Sequence, residues 1–404
     1  MASREMEPAL ETRETPLRIL IACDTYPPDV NGAAVFCYRL ASNLTKRGHE
    51  VHVLAARSDR GPSFVEHRPE ATVHRVTSHK APTHETYRLV TPLTANKIAG
   101  QVMDEIRPDA VHIQCHYMIG HAAQKQATKR GIRLIATNHF MPENLEPFLP
   151  FPQWFLNIVS RNSWRDMGKI MGKADVVTTP TPLAARAMRE NAGLKHVLPL
   201  SNGIDSAHYE LRKDETLPQR DYQTVLFAGR LAVEKNIDVL LRAMARLKQH
   251  PQPHVRIVGE GEQRPKLEAL AKELDIENRV HFLGFVDDET LRQEYLCADV
   301  FCQPGTAELQ SLVTLEALSA SRPVVLADAL ALPHLVKDGV NGYLFTPGDD
   351  QDLAAKLASI LDLSPAERAE MGEAGHQLAL THGEEKTIST FEALYRGADV
   401  RDYL

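Results

Sequence analysis

The sequence predicts an α/β protein made of two successive arrays of parallel strands and helices. Its 404 residues are long for one domain and natural for two. From residue 17 onward, short apolar runs rich in β-forming residues alternate with amphipathic stretches of helical period. A second series of the same kind starts after Asn202-Gly203-Ile204-Asp205. Such alternation is typical of parallel sheets covered by helices on both faces.

The first array opens with a strand, a loop, a helix and a second strand. Leu17–Cys23 is an apolar run, and residues 24–32 form a loop dense in Pro, Asn, Asp and Gly. The helix Ala33–Arg47 ends before Gly48, a favourable C-cap, and precedes the strand Val51–Ala55. The array continues with a predicted helix, Ala122–Arg130, and the predicted strands Ala110–Cys115, Arg133–Thr137, Asp175–Thr179 and His196–Leu200.

The second array follows a polar stretch, residues 200–222, that we predict to be a flexible linker. Its predicted strands are Thr224–Ala228, His254–Val258, Val280–Leu283, Ala298–Cys302 and Pro323–Ala327. Its predicted helices are Ile237–Gln249, Arg264–Leu274, Leu291–Cys297 and Ala354–Leu361.

Composition excludes several classes of protein. No apolar run approaches the length of a membrane span, and the charged first residues do not read as a signal peptide. Five cysteines without CxxC or Cys/His spacing indicate free thiols in a reducing cytosol. The first 200 residues carry six more basic than acidic residues, and the remainder thirteen more acidic than basic. Without a Lys/Arg block we expect no nucleic-acid partner.

The chemistry-bearing residues follow the predicted strands. Ligands of open parallel sheets bind beyond the carboxyl ends of the strands. We therefore expect one site, in the cleft between two domains, that draws on both arrays. The residues in such positions are Asn31, Gly32, His116, His139, Gly229, Arg230, Lys235, Gly259, Phe285, Val286 and the stretch from Gly305 to Glu316.

The stretch Gly305–Leu318 combines a strand end, a small-residue turn and the start of a helix. A helix N-terminus favours an anion, and nearby carboxylates can hold sugar hydroxyls. Glu308 and Glu316 differ by roughly 80° around a helix, which argues against a hydrolase pair. The alternative is that Glu308 is only a carboxylate at a helix N-terminus, favoured there by the helix dipole, and that Glu316 lies on a solvated face.

Cations and a glycine loop could complete a diphosphate site. Arg230 and Lys235 lie five residues apart, at a strand end and a helix start, although exposed charges would satisfy the same pattern. Gly32 allows backbone to approach a phosphate, or is a plain turn glycine. Neither Gly32 nor Gly259-Glu260-Gly261 belongs to a G-x-G-x-x-G fingerprint, which disfavours a dehydrogenase.

These motifs resemble the retaining glycosyltransferases of family 4. The resemblance covers nearly the whole chain and rests on E-x7-E from Glu308 to Glu316, G-R-L-A-V-E-K-N at 229–236, N-G-I-D at 202–205 and F-L-G-F-V at 282–286. It implies the GT-B architecture, two Rossmann-like domains facing each other across a cleft. The boundaries that it implies are a tail at 1–16, an acceptor domain at 17–200, a nucleotide-sugar domain at 201–384 and a terminal helix at 385–404 that crosses back.

The resemblance also implies a role for each matching residue. Arg230 and Lys235 match the diphosphate-binding pair. Glu316 matches the glutamate on the nucleotide ribose, Glu308 the one beside the reacting face of the sugar, and His139 the histidine on the donor hexose. The other donor-binding matches are Gly32, Gly229, Val286 and the helix start formed by Gln310, Ser311, Leu312 and Val313. Asn31 and His116 are candidates for the acceptor side, and the resemblance implies no metal or other cofactor.

One residue departs from the family pattern. Ser311 stands where family members have glycine, which indicates a distinct subgroup, one that resembles bacterial enzymes that glycosylate diacylglycerols. We expect a hexose transfer from a UDP-sugar, with GDP-mannose as the alternative donor. A membrane lipid is the favoured acceptor. A small soluble acceptor, or a sugar-nucleotide epimerase of the same fold, are the other interpretations.

An aromatic segment bears on the acceptor. Phe148–Val159 is apolar and is followed by Arg161, Arg165, Lys169 and Lys173. Such a segment can dip into a membrane surface with its cations on lipid phosphates. A core helix between domains fits the same residues. We therefore expect a cytoplasmic protein, with a peripheral place on the inner membrane face left open.

Overall fold

The computed structural model describes residues 15–29, 31–80, 88–142, 152–247 and 252–403. These residues group into two compact units, one formed by residues 15–79 and 88–134 and the other chiefly by residues 135–403. The domain boundaries expected from the sequence stay a prediction.

The first unit contains a mostly parallel sheet with the strand order β7-β1-β2-β4-β3. Its register pairs Ile19 with both Val51 and Ala110, and only β3 runs antiparallel to its neighbour. Its strands are β1 (Arg18–Cys23), β2 (Glu50–Ala56), β3 (Phe64–His67), β4 (Thr72–Val76) and β7 (Ala110–Ile113). Two short strands, β5 (His79–Lys80) and β6 (Arg88–Leu89), follow β4 in the chain. Its helices are α1 (Gly32–Lys46), α2 (Pro92–Ile106) and α3 (Met118–Arg130).

The second unit begins with three parallel strands in the order β10-β9-β8. These are β8 (Arg133–Thr137), β9 (Val176–Thr179) and β10 (Leu198–Pro199), accompanied by α4 (Gln153–Met171) and α5 (Pro182–Ala192).

A six-stranded, all-parallel sheet follows, with the order β13-β12-β11-β14-β15-β16. The central strands β11, β14 and β15 are buried along their whole length, as expected for a sheet covered on both faces, whereas β12, β13 and β16 are only partly buried. The six strands are β11 (Thr224–Ala228), β12 (His254–Val258), β13 (Val280–Gly284), β14 (Val300–Gln303), β15 (Val324–Ala327) and β16 (Gly342–Phe345). The helices are α6 (Ile237–Arg246), α7 (Arg264–Glu273), α8 (Asp288–Leu296), α9 (Leu312–Ser319), α10 (Asp350–Leu361), α11 (Pro365–Leu380) and α12 (Glu384–Tyr395).

The predicted fold class is confirmed, and the differences concern element boundaries and elements that were not predicted. Helix α8 begins at Asp288, where Asp287 accepts from the Thr290 amide, three residues before the predicted start at Leu291. The strand predicted at His196–Leu200 is only two residues long, and α6 ends at Arg246. Helices α2, α5 and α11 were not predicted from the sequence. Each of the three has proline at its first turn after a Ser or Thr cap, a start signal that could have found them.

The stretch predicted as a flexible linker, residues 200–222, is held by a buried arginine. The Arg292 guanidinium donates to the carbonyls of His208 and Glu210 and pairs with the Glu215 carboxylate at 2.6 Å. The Glu215 pKa is lowered to about 2 because the Arg292 hydrogen bond favours its charged form. A buried guanidinium must satisfy all its donors, and here it does so by fastening the linker.

Two further sequence expectations concern the whole chain. The five cysteines are free thiols, of which Cys23, Cys37 and Cys302 are buried. Within the described ranges, none of the helices combines the length and the apolar character needed to cross a bilayer.

Candidate functional site

Four neighbouring strands of the six-stranded sheet end at the same edge. Strands β13, β12, β11 and β14 are adjacent and parallel, so their carboxyl ends lie side by side. Gly229 follows β11, Gly259 follows β12, Phe285 follows β13 and Pro304 follows β14. The residues that the sequence analysis selected in the second array therefore share one edge, the position where open α/β sheets bind ligands.

Backbone approaches backbone closely at this edge. Gly259 has a φ of +127°, and a Cβ placed there would lie 1.9 Å from the carbonyl oxygen of Gly229. Its amide donates to Gly284, and the amide of Gly229 donates to Val258. No side chain larger than hydrogen fits at Gly259, so this glycine brings the turns after β11 and β12 together.

Lys235 and Glu308 form an ion pair, although they are far apart in the sequence. Lys235 ends a 3-10 turn just before α6, and Glu308 lies in the turn after β14. The Lys235 ammonium donates to Glu308 Oε1, and both side chains are largely buried. The backbone supports the contact, since the Thr306 amide donates to the Glu234 carbonyl at 3.2 Å. The pair thus links the ends of two adjacent strands.

Arg230 pairs with Glu234, the residue before Lys235, and is more accessible than Lys235. Its guanidinium donates to Glu234 at 2.5 Å and is 3.9 Å from the Glu262 carboxylate. Its side chain is 37% exposed. The strand edge therefore carries two cations, each held by a carboxylate that an incoming anion could replace or share.

Ser311 caps the helix α9. Its hydroxyl oxygen accepts from the Thr314 amide at 3.3 Å and from the Thr314 hydroxyl at 2.8 Å. Its φ is −87°, a conformation open to any residue, so the position does not require glycine. Ser311, where the resemblance led us to expect glycine, thus has a local structural reason, because serine is a preferred N-cap.

The first turn of α9 presents backbone amides. Leu312 and Val313 are half-buried at its start, and first-turn amides have no acceptor within the helix. Gln310 turns toward another segment: its Oε1 accepts from the Asn202 amide, and its Nε2 donates to Ser201 Oγ, both at 2.8 Å. The side chain of Gln310 therefore holds the N-G-I-D loop.

Glu316 lies on α9 and is buried, at 7% exposure. Its Oε2 accepts from the Tyr295 hydroxyl at 2.9 Å. The solvated-face alternative for Glu316 is therefore wrong. Glu308 lies four residues before α9 starts, so the two glutamates occupy different structural elements, in line with separate roles.

The loop after β13 contains Phe285 and Val286, and the contact of Val286 with the base stays a prediction. Phe285 is 77% exposed, and Val286 is half-buried against the core. Helix α8 begins directly after this loop.

His139 follows β8 in the second unit. Burial lowers its pKa to about 3, so the imidazole is neutral near pH 7. The contacts described above do not join His139 to the Lys235–Glu308 pair, and its contact with a hexose stays a prediction.

The remaining candidates lie in the first unit. Asn31 caps α1 by accepting from the Ala34 amide at 2.9 Å. Gly32, the first residue of α1, is exposed, and a Cβ there would meet open space. His116 is buried, with its ring centroid 4.1 Å from that of Tyr117.

No sequence pattern predicted a role for Tyr295 or Glu234, or the hydrogen bonds of Gln310 with the Asn202 amide and the Ser201 hydroxyl. Tyr295 falls at a position that the helical period assigns to the apolar face of its helix. That pattern does not predict a hydrogen bond from its hydroxyl to Glu316. Across the part of the chain that the structure describes, no three His, Cys, Asp or Glu side chains group as metal ligands would.

Two family models match successive parts of the chain. One, described as Glycosyltransferase Family 4, matches residues 30–208, and the other, described as Glycosyl transferases group 1, matches residues 209–378. All the candidate residues lie within these two ranges.

Known proteins resemble the chain over most of its length. An uncharacterized glycosyltransferase of Methanocaldococcus jannaschii is 27% identical, with 85% of this chain and 89% of that protein covered. The alpha-monoglucosyldiacylglycerol synthase of Acholeplasma laidlawii is 24% identical, with 83% and 86% covered. Anabaena HepE, solved in complex with UDP, shares the fold with a TM-score of 0.73, at 20% identity and with 95% and 100% covered. The chain is a GT-B glycosyltransferase of the group 1 and family 4 type, an enzyme that acts on nucleotide sugars.

Proposed function

We propose that the protein transfers a hexose from a UDP-sugar to a lipid hydroxyl, with retention of the anomeric configuration. The observation that carries the proposal is the Lys235–Glu308 ion pair. It lies at the carboxyl edge of β11 and β14, the edge where Arg230 follows β11, and Glu308 precedes the capped start of α9.

The cations suit a diphosphate leaving group. Arg230 and Lys235 stabilise the charge that develops on the phosphates when the sugar bond breaks, and the first-turn amides of α9 add hydrogen bonds. These groups supply the positive charge of the site, and the proposal includes no metal. Turnover that is unchanged after treatment with a chelator would support this part, and turnover restored only by a divalent ion would contradict it.

The transfer step conserves atoms and charge within the donor and acceptor. The bond from the anomeric carbon to the phosphate oxygen breaks, and its electron pair leaves with the nucleotide. The acceptor hydroxyl attacks from the same face, and its proton passes to a phosphate oxygen. Glu308 is already paired with Lys235, so we propose no covalent intermediate on the enzyme. An inverted product anomer in the NMR spectrum would overturn this step.

His139 contacts the hexose as a neutral ring in this proposal. Its pKa of about 3 keeps the ring uncharged near pH 7. The His139→Ala variant should therefore turn over slowly without a loss of donor affinity, whereas Glu316→Ala should bind the donor weakly. The ratio of wild-type to His139→Ala activity should be the same from about pH 5 to pH 8. Wild-type turnover and affinity in both variants would refute the site.

The donor is the finer part of the proposal. HepE, whose fold this chain shares, was solved with UDP, which supports a uridine nucleotide. Hydrolysis and transfer with a panel of UDP- and GDP-sugars tests it. Activity with GDP-mannose alone would replace UDP, and release of free nucleotide with a rearranged sugar, without any acceptor, would favour an epimerase.

The acceptor proposal rests on the exposed face of α4. Trp154 is 65% exposed, and Ile158, Arg161 and Arg165 follow it at i+4, i+7 and i+11, so they form one stripe of the helix. The opposite side packs inward through Leu156, Trp164, Met167 and Met171. The helix thus has a packed face as well as an apolar, cationic outer face suited to an anionic membrane surface. Residues 148–151 of the aromatic segment lie outside the described residues.

Liposome flotation tests the lipid acceptor. The protein should float with vesicles that contain anionic lipid and remain below with neutral ones. The double variant Arg161→Glu/Arg165→Glu should lose flotation, and Lys266→Glu, on the exposed face of α7, should keep it. No flotation, together with transfer to a soluble sugar, would replace the lipid with a soluble acceptor.

A further inference from the structure

A buried tyrosine holds the carboxylate that is expected to bind the ribose. The Tyr295 hydroxyl donates to Glu316 Oε2 at 2.9 Å, and Tyr295 is fully buried. A hydrogen bond to a charged acceptor is stronger than a neutral one, and burial removes the competition of water. Tyr295 therefore restrains the orientation of the Glu316 carboxylate.

The tyrosine ring is itself held by aromatic packing. Its centroid lies 5.7 Å from that of Tyr209, edge to face, and 5.8 Å from that of Phe301. Phe301 belongs to β14, the strand that leads into the site, and both neighbours are buried. The ring cannot turn without displacing them, so the hydroxyl has a set position.

The helix that carries Tyr295 also connects two parts of the nucleotide site. Helix α8 begins directly after the Phe285-Val286 loop and carries Tyr295 as its last residue but one. The loop expected to hold the base and the acid expected to hold the ribose are thus joined through one short helix and one hydrogen bond.

We propose that Tyr295 is a positioning residue for recognition of the ribose hydroxyls. The inference rests on the proposed function, which places Glu316 on the ribose. A carboxylate accepts about four hydrogen bonds, so the bond from Tyr295 is compatible with two from a vicinal diol. By binding Oε2, the Tyr295 hydroxyl sets the plane of the Glu316 carboxylate. The 2′ and 3′ hydroxyls of the ribose donate to the carboxylate in that plane.

The experiment compares the binding of UDP with that of 2′,3′-dideoxy-UDP by calorimetry. Wild type should prefer UDP on the order of tenfold or more, since two hydrogen bonds to a charged acceptor are lost in the analogue. The Tyr295→Phe variant keeps the ring and should lose most of this preference. Its KM for the donor should rise while kcat at saturating donor stays close to wild type.

A matched control exists in the first unit. The hydroxyl of Tyr26, also fully buried, donates to the Glu70 carboxylate at 3.1 Å. Tyr26→Phe removes the same kind of bond away from the proposed ribose site, and it should leave the preference for UDP unchanged.

The outcomes separate this inference from the proposed function. If Glu316→Ala keeps the full preference for UDP, Glu316 does not bind the ribose and the proposed site fails. If Glu316→Ala loses the preference and Tyr295→Phe keeps it, the inference alone is overturned. Equal weakening of both nucleotides in Tyr295→Phe, with a lower melting temperature, would assign the tyrosine a structural role and also overturn the inference.

Discussion

Helices α1 and α9 both begin after a parallel strand, and both are capped by a polar side chain, yet their surroundings differ. The start of α1 is open: Asn31 caps it, and Gly32 is exposed with empty space above its Cα. The start of α9 is enclosed, with Ser311 and Thr314 buried and Glu308 in an ion pair. The first helix start depends on local residues alone, whereas the second depends on partners from distant parts of the chain.

Substitution of Lys235, the cation that pairs with Glu308, should give the largest effect. Lys235→Ala removes a charge from the proposed diphosphate site and leaves the Glu308 carboxylate without its ammonium. We expect turnover to fall by about 100-fold or more, measured as nucleotide release. Lys266→Ala, an exposed lysine of the same unit, is the control and should behave as wild type. If turnover falls less than about threefold, the site at the enclosed start of α9 does not depend on the Lys235 charge.

The long-range support of α9 comes next. Gln310→Ala removes the acceptor of the buried Asn202 amide and should reduce the free energy of unfolding by about 1–3 kcal/mol. Urea denaturation measures this change. Gln377→Ala, whose exposed side chain bonds only within α11, should cost much less. Equal costs would show that α9 is as locally determined as α1.

At the open start of α1, the substitution of Gly32 should raise the stability of the protein and weaken donor binding. Gly32→Ala lowers the entropy of the unfolded chain and meets no neighbouring atom, so the free energy of unfolding should rise by about 0.4–1 kcal/mol. If backbone access at Gly32 serves the donor, the donor KM should rise at the same time. Greater stability with an unchanged KM would make Gly32 a plain turn residue.

The cap of α9 should give the smallest effect. Glycine is nearly as good an N-cap as serine, so Ser311→Gly should cost only a few tenths of a kcal/mol. Turnover should stay within about twofold of wild type if the hydroxyl acts only as a cap. A tenfold loss of turnover at unchanged stability would instead assign the Ser311 hydroxyl to the phosphate.

Local patterns were sufficient for much of the fold. Apolar runs such as Thr224–Ala228 and Arg133–Thr137 have the predicted bounds, because a strand buried on both faces needs a continuous apolar segment. Helix starts were less well predicted. Helix α8 begins with two polar residues, Asp288 and Glu289, so no apolar residue of helical period marks its start. The start depends on the Asp287 cap.

The sequence by itself determined the α/β class and the placement of Gly229, Arg230, Lys235, Glu308 and Glu316 near strand ends, because both follow from patterns a few residues long. Only the tertiary structure decided which of these side chains meet. Lys235 reaches Glu308 across 73 positions, and Tyr295 reaches Glu316 from the preceding helix. Such contacts depend on the order of strands in the sheet, which no local pattern encodes.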